Sequence, residues 1–395
     1  MGKCYQLATR WVLISAALLL AACGTARGPQ ALGPRLEDGT DALASGVSLA
    51  FNDAYEERID LNEPRARKNP RNTDKALLRL IRTARRSVDG AFYDIEDPGV
   101  VAALAQARRR GVKVRLVTDT DNMVEKSDPT QPRQAIVLLQ SNGVPVVDDR
   151  RSGIMHHKFM VVDGQTVWTG STNLTPTSLY RHNNNALTIR NRRLAEAFEA
   201  EFERLFARRE FGKSVRGETR PTEEIALGGG MTVQAFFSPG GSGRDAVVRA
   251  VRSARSAIRF MTFSLTDVET GDALVERARA GVKVEGIFDR WLAAGPYSLF
   301  DRFKTAKLEV RKDGNEALMH HKVIVIDSDT VITGSYNYSQ NAEHNNNEAF
   351  LIFRKARSVA RAYADEYERL RRAAIVNRPP PHKPDDAEKK TGEGP

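Results

Sequence analysis

The feature that most constrains the fold of this chain is a nine-residue segment that occurs twice. The first copy, MHHKFMVVD, covers residues 155–163, and the second, MHHKVIVID, covers residues 319–327. Both copies keep the His-His-Lys triplet and the closing Asp, whereas a purely structural repeat would keep apolar positions and let polar ones change. The repeat therefore indicates that each half of the chain contributes the same chemical groups.

The repeated segment lies within a longer internal duplication. Residues 74–119 align with residues 245–289, and each segment predicts a helix, a short strand, a second helix and another strand. Gly111 and Gly281 are expected to end the second helices. Alternating helices and strands predict an α/β fold with a mostly parallel or mixed sheet flanked by helices. Each copy closes with an amphipathic helix, whose apolar faces are Leu194, Phe198, Phe202 and Leu205, and Val359, Tyr363, Tyr367 and Leu370.

The polar residues of the repeat are arranged by the alternation of side chains along a strand. Because alternate side chains share a face, the first His and the Lys of each copy point the same way. The second His, His157 or His321, faces the other side and is expected to pack. A Gly-Ser-x-Asn segment follows, with its Ser and Asn predicted to share a face of the next strand. The groups expected to converge are His156, Lys158, Ser171 and Asn173 from one half, and His320, Lys322, Ser335 and Asn337 from the other.

This set of groups suits a phosphodiester. A neutral imidazole can attack phosphorus and form a phosphohistidine, while a second, protonated imidazole gives a proton to the leaving alkoxide. The Lys ammonium groups and the Asn amides can bind the non-bridging oxygens. Asn185 and Asn347, from the later HNNN segments, are further candidates for substrate contact. We expect no metal and no cofactor, since the pattern has no third ligand at a fixed spacing and the Lys would repel a cation.

The pattern His-x-Lys-x4-Asp followed by Gly-Ser-x-Asn, present in both halves, resembles the HKD motif of the phospholipase D superfamily. The resemblance implies two duplicated domains around a pseudo-twofold axis, so that a monomer forms an internal pseudo-dimer. It implies metal-independent, two-step hydrolysis or transphosphatidylation of a phosphodiester. It also implies that the motif carboxylates Asp163 and Asp327 are structural salt-bridge partners and not catalysts.

The two halves differ after the motifs. The second half reads EHNNNEAFLI and the first RHNNNALTI, which aligns Glu348 with Ala186. The resemblance implies that an acidic residue here orients a motif His, and such a carboxylate fixes the tautomer and raises the basicity of the imidazole. The two motif His are therefore expected to differ in role. Family precedent favours His156 as nucleophile and His320 as acid, whereas contact between Glu348 and His320 would favour the reverse.

The N-terminus predicts export and a lipid anchor. Lys3 and Arg10 precede an apolar run from Trp11 to Ala22, which is too short to span a bilayer and is typical of a signal peptide. The LAAC sequence at its end resembles the bacterial lipobox, which implies a diacylglyceryl anchor on Cys23. The chain has 60 Lys and Arg against 50 Asp and Glu, and this excess favours anionic partners. We expect a lipoprotein of the cell envelope, on the periplasmic face of the outer membrane in a Gram-negative host.

Segments rich in Gly, Pro, Asn and charged residues flank and separate the duplicated halves. The predicted organisation is a signal peptide at 1–22, a tether at 23–70, a first phospholipase D-like domain at 71–210, a linker at 211–230, a second such domain at 231–376 and a disordered tail at 377–395.

Three functions agree with the sequence. The leading hypothesis is a membrane-anchored phosphodiesterase of phospholipase D type that acts on phospholipids. The second is an HKD-type endonuclease, whose basic groove would bind DNA or RNA. Aromatic residues form only 7% of the chain and do not interleave with the motifs, which disfavours the stacking of single strands. The third is a lipoprotein that binds lipid or polyanions without turnover. The head group and the acceptor, water or an alcohol, stay open.

Overall fold

The computed structural model describes residues 41–44, 46–52, 67–214 and 221–375. The predicted signal peptide, the Cys23 anchor and the predicted tail lie outside these ranges. Within them, no helix combines the length and apolar character needed to cross a bilayer.

The first half is an eight-stranded mixed sheet with helices on its faces. Its strands are β1 (Asp41–Ala44), β2 (Val47–Phe51), β3 (Ser87–Phe92), β4 (Lys113–Thr118), β5 (Val146–Asp148), β6 (Lys158–Val162), β7 (Thr166–Gly170) and β8 (Asn185–Arg190). Its helices are α1 (Asp74–Thr83), α2 (Pro98–Arg109), α3 (Gln134–Ser141), α4 (Pro176–Tyr180) and α5 (Arg192–Phe206). The spatial order is β1-β2-β8-β7-β6-β3-β4-β5. Only the β3, β4 and β5 pairings are parallel.

The second half repeats this architecture. Its strands are β9 (Ile225–Gly228), β10 (Met231–Ser238), β11 (Ala257–Thr262), β12 (Lys283–Phe288), β13 (Glu309–Lys312), β14 (Lys322–Ile326), β15 (Thr330–Gly334) and β16 (Glu348–Arg354). Its helices are α6 (Gly243–Arg252), α7 (Val268–Arg279), α8 (Phe300–Thr305), α9 (Gln340–His344) and α10 (Arg357–Ile375). The spatial order β9-β10-β16-β15-β14-β11-β12-β13 matches that of the first sheet. The predicted duplication of an α/β domain is confirmed.

The helices that cross from β3 to β4 and from β11 to β12 are bounded as the sequence predicts. The Asp97 side chain accepts hydrogen bonds from the N–H groups of Gly99 and Val100 and so caps α2. Gly111 and Gly281 follow α2 and α7 with φ angles of 90° and 89°, which glycine adopts without steric cost. These caps set the point at which each chain turns back into the sheet.

The largest hydrophobic core is shared by both halves. It contains the predicted apolar faces of α5 and α10, together with buried residues of both sheets. The Phe198 ring on α5 lies 5.1 Å from the Phe237 ring on β10 and meets it edge-on. Helices α5 and α10 therefore join the two sheets through one continuous apolar layer.

Two predicted boundaries are wrong. The expected tether contains β1 and β2, and β2 pairs with β8, with Phe51 opposite Asn185. The expected linker contains β9, which pairs with β10. Each hairpin extends its sheet and buries its apolar residues in the shared core. These strands were missed because they are short and lie in stretches rich in Gly, Pro and charge.

Candidate active site

The two repeated segments meet at the start of β6 and β14. The N–H of His156 donates to the carbonyl of Asn347 at 2.9 Å, and the N–H of His320 donates to the carbonyl of Asn183 at 2.9 Å. Each motif segment is thus hydrogen-bonded to the opposite half two residues before its strand begins. Both motif histidines are buried in this junction, where burial and the charges of nearby groups, His156 among them, lower the pKa of His320.

His156 is paired with a carboxylate of the other half. Its Nδ1 lies 2.8 Å from both carboxylate oxygens of Glu348. The Ser335 hydroxyl donates to Glu348 Oε2 at 2.6 Å. All of these groups are buried, and His156 Nε2 has no hydrogen-bond partner among the described residues. Glu348 therefore contacts His156 and not His320, which removes the argument for reversed roles.

His320 is paired with neutral groups. Its Nδ1 lies 3.0 Å from Asn184 Oδ1 and 3.0 Å from the Ser171 carbonyl oxygen. Because both neighbours are acceptors, Nδ1 carries the proton and donates. The Ser171 hydroxyl donates to Asn184 Oδ1 at 2.7 Å. His320 Nε2 is likewise buried without a partner in the described part of the chain.

The counterpart of Glu348 is Asn184 and not Ala186, as the alignment of the HNNN segments had suggested. The N–H of Ser335 donates to the Ala349 carbonyl at 2.9 Å, and that of Ser171 donates to the Asn185 carbonyl at 3.0 Å. These equivalent bonds place Glu348 and Asn184 at the same position. The three consecutive Asn residues allowed a two-residue slip in the alignment. The two motif histidines still differ as predicted, but the difference is that His156 contacts a carboxylate and His320 contacts an amide.

The motif lysines and two aromatic rings complete the walls of the site. Both Lys side chains are buried, and each donates to the carbonyl of its own motif His, at 2.8 Å for Lys158 and 2.9 Å for Lys322. Each ammonium also lies over a ring, 5.3 Å from the Tyr93 centroid and 4.6 Å from the Phe263 centroid. The same rings contact the imidazoles, with centroid distances of 5.4 Å for Tyr93–His156 and 4.7 Å for Phe263–His320.

Burial dominates the electrostatics of the site. It lowers the pKa of His156 well below its usual value, and Lys158 and Lys322 lower it further. Burial likewise lowers the pKa of His320. Burial raises the pKa of Glu348 to about 8, although both lysines act in the opposite direction. Because His156 and Glu348 are hydrogen-bonded, they titrate as a pair. Loss of the proton from this pair leaves the carboxylate on Nδ1–H and a free lone pair on His156 Nε2.

Several residues predicted to contact substrate form hydrogen bonds within the protein. The Asn185 amide donates to His321 Nδ1 at 2.9 Å, and its oxygen accepts from Thr333 and Tyr363. Asn347 Oδ1 accepts from Arg151 and from the Gly212 N–H. Ser171 and Ser335 hold Asn184 and Glu348, and Asn173 and Asn337 follow β7 and β15 and do not lie within these strands. The Asn173 and Asn337 side chains are buried.

The motif carboxylates are structural, but they form no salt bridge within 4.0 Å in the part of the chain that the structure describes. Asp163 accepts hydrogen bonds from the N–H groups of residues 85, 86 and 87. Asp327 accepts from residues 255, 256 and 257 in the same way. They therefore fix the start of β3 and β11, since those strands begin with unpaired N–H groups.

The sequence interpretation missed the partners of the second His in each repeat. His157 Nε2 lies 2.8 Å from Glu201 Oε1, and His321 Nε2 lies 3.1 Å from Glu366 Oε1. Arg204 and Arg369 bind the same carboxylates. Each network ties a motif strand to the closing helix of its half. The sequence did contain a signal for these partners. Each closing helix carries a Glu on its apolar face, followed three residues later by an Arg.

Comparisons with known proteins agree with this geometry. A family model described as "Cardiolipin synthase, PLD-like domain" matches residues 77–206 and again 247–371, which is more than half of the chain. Mitochondrial cardiolipin hydrolase of Xenopus tropicalis is 38% identical over 138 residues, which cover 34% of this chain and 63% of the relative. Phospholipase D of Rickettsia prowazekii is 32% identical over 129 residues, or 33% of this chain and 60% of the relative.

The chain thus spans less than two thirds of the length of these two relatives. The crystal structure of phosphatidylserine synthase from Haemophilus influenzae superposes with a TM-score of 0.62, over 85% of this chain and 88% of that chain. The two sequences are 13% identical, so the likeness concerns the fold of both halves together.

Proposed function

Because the chain belongs to the phospholipase D-like family, whose domain model matches both halves, we propose that it is a phosphodiesterase with His156 as nucleophile and His320 as general acid. The observation that carries this assignment is a pair of buried imidazoles, each with an unpartnered Nε2. One imidazole is backed by a carboxylate and the other by an amide. A carboxylate increases the nucleophilicity of the imidazole that it orients.

In the first step, His156 Nε2 attacks phosphorus and a P–N bond forms. The P–O bond to the leaving group breaks, and His320 Nε2–H gives its proton to the departing alkoxide. In the second step, water attacks the phosphohistidine, His320 takes the proton of the water, and the P–N bond breaks. An alcohol in place of water gives transphosphatidylation.

The lysines and the substrate set the protonation states for these steps. Lys158 and Lys322 provide fixed positive charge beside the non-bridging oxygens, where charge develops in the transition state. Burial keeps the pKa of His320 low in the free protein. A bound phosphodiester anion raises that pKa, because a negative charge stabilises the imidazolium. Binding of substrate therefore favours the protonated form of His320, which is the form that can act as general acid.

The substrate that we propose is a phospholipid at a membrane surface. Relatives named cardiolipin hydrolase and phospholipase D support this class. A diacylglyceryl anchor on Cys23 would hold the enzyme at phospholipid head groups, and the basic net charge of the chain, +10, suits anionic lipids. The anchor is tested with a Cys23→Ser variant, which should lose metabolic lipid labelling and should no longer fractionate with membranes.

The function is tested by offering the purified Cys23→Ser protein phosphatidylcholine, phosphatidylglycerol, cardiolipin and plasmid DNA, with and without EDTA. We expect EDTA-resistant lipid turnover that is lost in His156→Ala and in His320→Ala. Alkaline quenching, which preserves the P–N bond, followed by digestion and mass spectrometry should find the phosphoryl adduct on His156. DNA cleavage with untouched lipid would assign the enzyme to nucleic acid. If the wild type shows no turnover and both variants still bind lipid, the protein is a lipid-binding lipoprotein without this activity.

A further inference from the structure

Asn52 directly follows β2, is fully buried and has no part in the mechanism above. Its Nδ2 donates to the Ser178 carbonyl at 2.8 Å and to the His182 carbonyl at 3.3 Å. Its Oδ1 accepts from the Thr73 N–H at 2.9 Å. Because Oδ1 faces that donor, the amide can point only its Nδ2 group at Ser178. Asn52 therefore ties α4 and the segment after it to the first hairpin.

The Ser178 group that Asn52 holds also orients Asn184. The Asn184 Nδ2 donates to the carbonyl and to the hydroxyl of Ser178, at 3.0 Å each. The Asn52 N–H donates to the Asn184 carbonyl at 2.9 Å. With Nδ2 held at Ser178, the Asn184 Oδ1 faces His320 Nδ1, which carries a proton and donates it. His320 Nε2 is then the nitrogen that gains and loses a proton in the proposed mechanism.

The second half has the same clamp with a different residue. Ser238 ends β10 and is opposite Glu348 in the pairing with β16, just as the Asn52 N–H bonds to Asn184. The buried Ser238 hydroxyl donates to the Ala342 carbonyl at 2.6 Å. Ala342 is the counterpart of the Ser that Asn52 holds, because both lie at the same distance from their motif His. One clamp therefore supports the side of the proposed general acid, and the other supports the side of the nucleophile.

We propose that Asn52 is a positioning residue for the general acid, acting on His320 through Asn184. This inference rests on the proposed phosphodiesterase function and gives the first hairpin a role in it. Loss of the Asn52 amide releases the Ser178 carbonyl, so the Asn184 amide can rotate and present its Nδ2 to His320. Both nitrogens of an imidazolium are donors, so a rotated amide disfavours the protonated ring that acts as acid. Attack by His156 does not depend on this amide.

The experiment compares two substrates that transfer the same phosphatidyl group and differ in the leaving group. Phosphatidylglycerol releases an alkoxide, which needs a proton from the general acid, whereas phosphatidyl-p-nitrophenol releases a phenolate, which leaves without one. The measured quantity is kcat/KM in mixed micelles, because it covers the steps up to the phosphohistidine. The thermal midpoint of every variant is measured as a control for folding.

Three substitutions form a matched set. Asn52→Ala removes the clamp, and Asn52→Ser supplies the hydroxyl that performs the same task at Ser238 in the second half. Ser238→Ala removes the clamp on the nucleophile side. If Asn52→Ala does not fold, Asn52→Cys takes its place, since it differs from Asn52→Ser by one atom and has only a weak donor.

We expect kcat/KM for phosphatidylglycerol to fall about tenfold in Asn52→Ala, which is part of the rate that a general acid supplies. The p-nitrophenyl ester should stay near its wild-type kcat/KM, and Asn52→Ser should recover most of the loss. Ser238→Ala should lower both values by the same factor, because both substrates need attack by His156. An equal fall for both substrates in Asn52→Ala would overturn the positioning role. A fall confined to phosphatidylglycerol in Ser238→Ala would overturn the assignment of the two clamps.

The tautomer of His320 gives a second reading that needs no turnover. Nitrogen NMR of protein with isotope-labelled histidine, assigned with His320→Ala, should show the Nδ1–H form in the wild type and in Asn52→Ser. Asn52→Ala should show a mixture of tautomers, and an unchanged Nδ1–H signal in the folded variant would contradict the inference. A wild-type protein that turns over neither ester would contradict the proposed function, and the NMR comparison would still decide whether Asn52 orients His320.

Discussion

At the scale of single residues, the site is symmetric in position and asymmetric in chemistry. Glu348 and Asn184 occupy equivalent positions, and each accepts a hydroxyl hydrogen bond from a motif Ser and contacts the motif His of the opposite half. The two side chains differ mainly in charge. In the proposed mechanism, that single difference separates the nucleophile from the acid on otherwise duplicated scaffolds.

The first prediction concerns Glu348→Gln. The amide keeps the shape but cannot stabilise positive charge on His156, so we expect kcat to fall about 10²- to 10⁴-fold. Since the pKa of Glu348 is about 8, wild-type kcat/KM should rise as the pH increases towards 8 and the pair loses its proton. The variant should lack this rise. A pH profile identical to that of the wild type would contradict the assignment of the pair.

The second prediction concerns Asn184→Asp, which places a carboxylate beside His320. A negative charge favours the imidazolium, so the pKa of His320 rises and the acid stays protonated to higher pH. We expect the alkaline limb of the kcat profile to move upward, with the thermal midpoint measured as a control for folding. A downward shift of that limb would show that His320 is not the proton donor.

The sequence predicted the motif residues but not their contacts. His156, Lys158, His320 and Lys322 were found from spacing alone, because both copies keep the same chemical groups. The partner Asn184 was not found, because three identical Asn residues hide the correct alignment. The hydrogen bonds after β7 and β15 and the registers of these strands with β8 and β16 fix the alignment. Partners supplied by the opposite half are long-range contacts, which spacing along one strand does not predict.

At the scale of elements, the closing helices are held by buried ionic networks as well as by apolar packing. Burial alone would raise the pKa of Glu201, but Arg204 and His157 outweigh it and lower the pKa to about 2. The network in the second half acts on Glu366 in the same way. Each network fixes the segment that also carries a motif His.

The third prediction concerns Glu201→Gln. Loss of the carboxylate leaves Arg204 buried without its charged partner, so the free energy of unfolding should fall by about 3–5 kcal/mol at pH 7. The folded-state pKa of about 2 lies below the usual 4.5, so this stabilisation is present above pH 4.5 and is lost as the pH falls towards 2. Urea denaturation at several pH values measures it.

Glu196→Gln on the same helix is the matched control. Glu196 forms an exposed pair with Arg192, and exposed pairs contribute less than about 0.5 kcal/mol. Equal effects of the two substitutions would contradict the role of the buried network.

At the scale of the whole molecule, each eight-stranded sheet depends on a hairpin that the sequence did not predict. The apolar faces of the long helices follow a clear period and were predicted. The hairpins are short, so their alternation is weak, and their burial depends on β8 and β16, which are distant in sequence. Whether such short segments form strands depends on their tertiary contacts, because the intrinsic preference of residues for strands is small.

The fourth prediction follows from the first hairpin. A protein that starts at residue 71 exposes the edge of β8 and the core surface that Leu49 and Phe51 cover, and it should aggregate or unfold at lower temperature. A protein that starts at residue 36 should keep the wild-type thermal midpoint. Thermal scans and soluble yield compare the two, and equal midpoints would show that the hairpin is dispensable.

Sedimentation of the longer protein tests the prediction that the protein is a monomer.

The crossed pairing of His156 with Glu348 and of His320 with Asn184 also governs when activity can arise. Neither half contains a complete nucleophile or a complete acid, so a chain with one folded half has none of the proposed activity, however native that half is. During refolding, turnover should therefore lag behind the recovery of helical signal and appear with the docking of the halves. Activity therefore reports complete assembly, because the reaction begins only in a chain in which both halves have folded and docked.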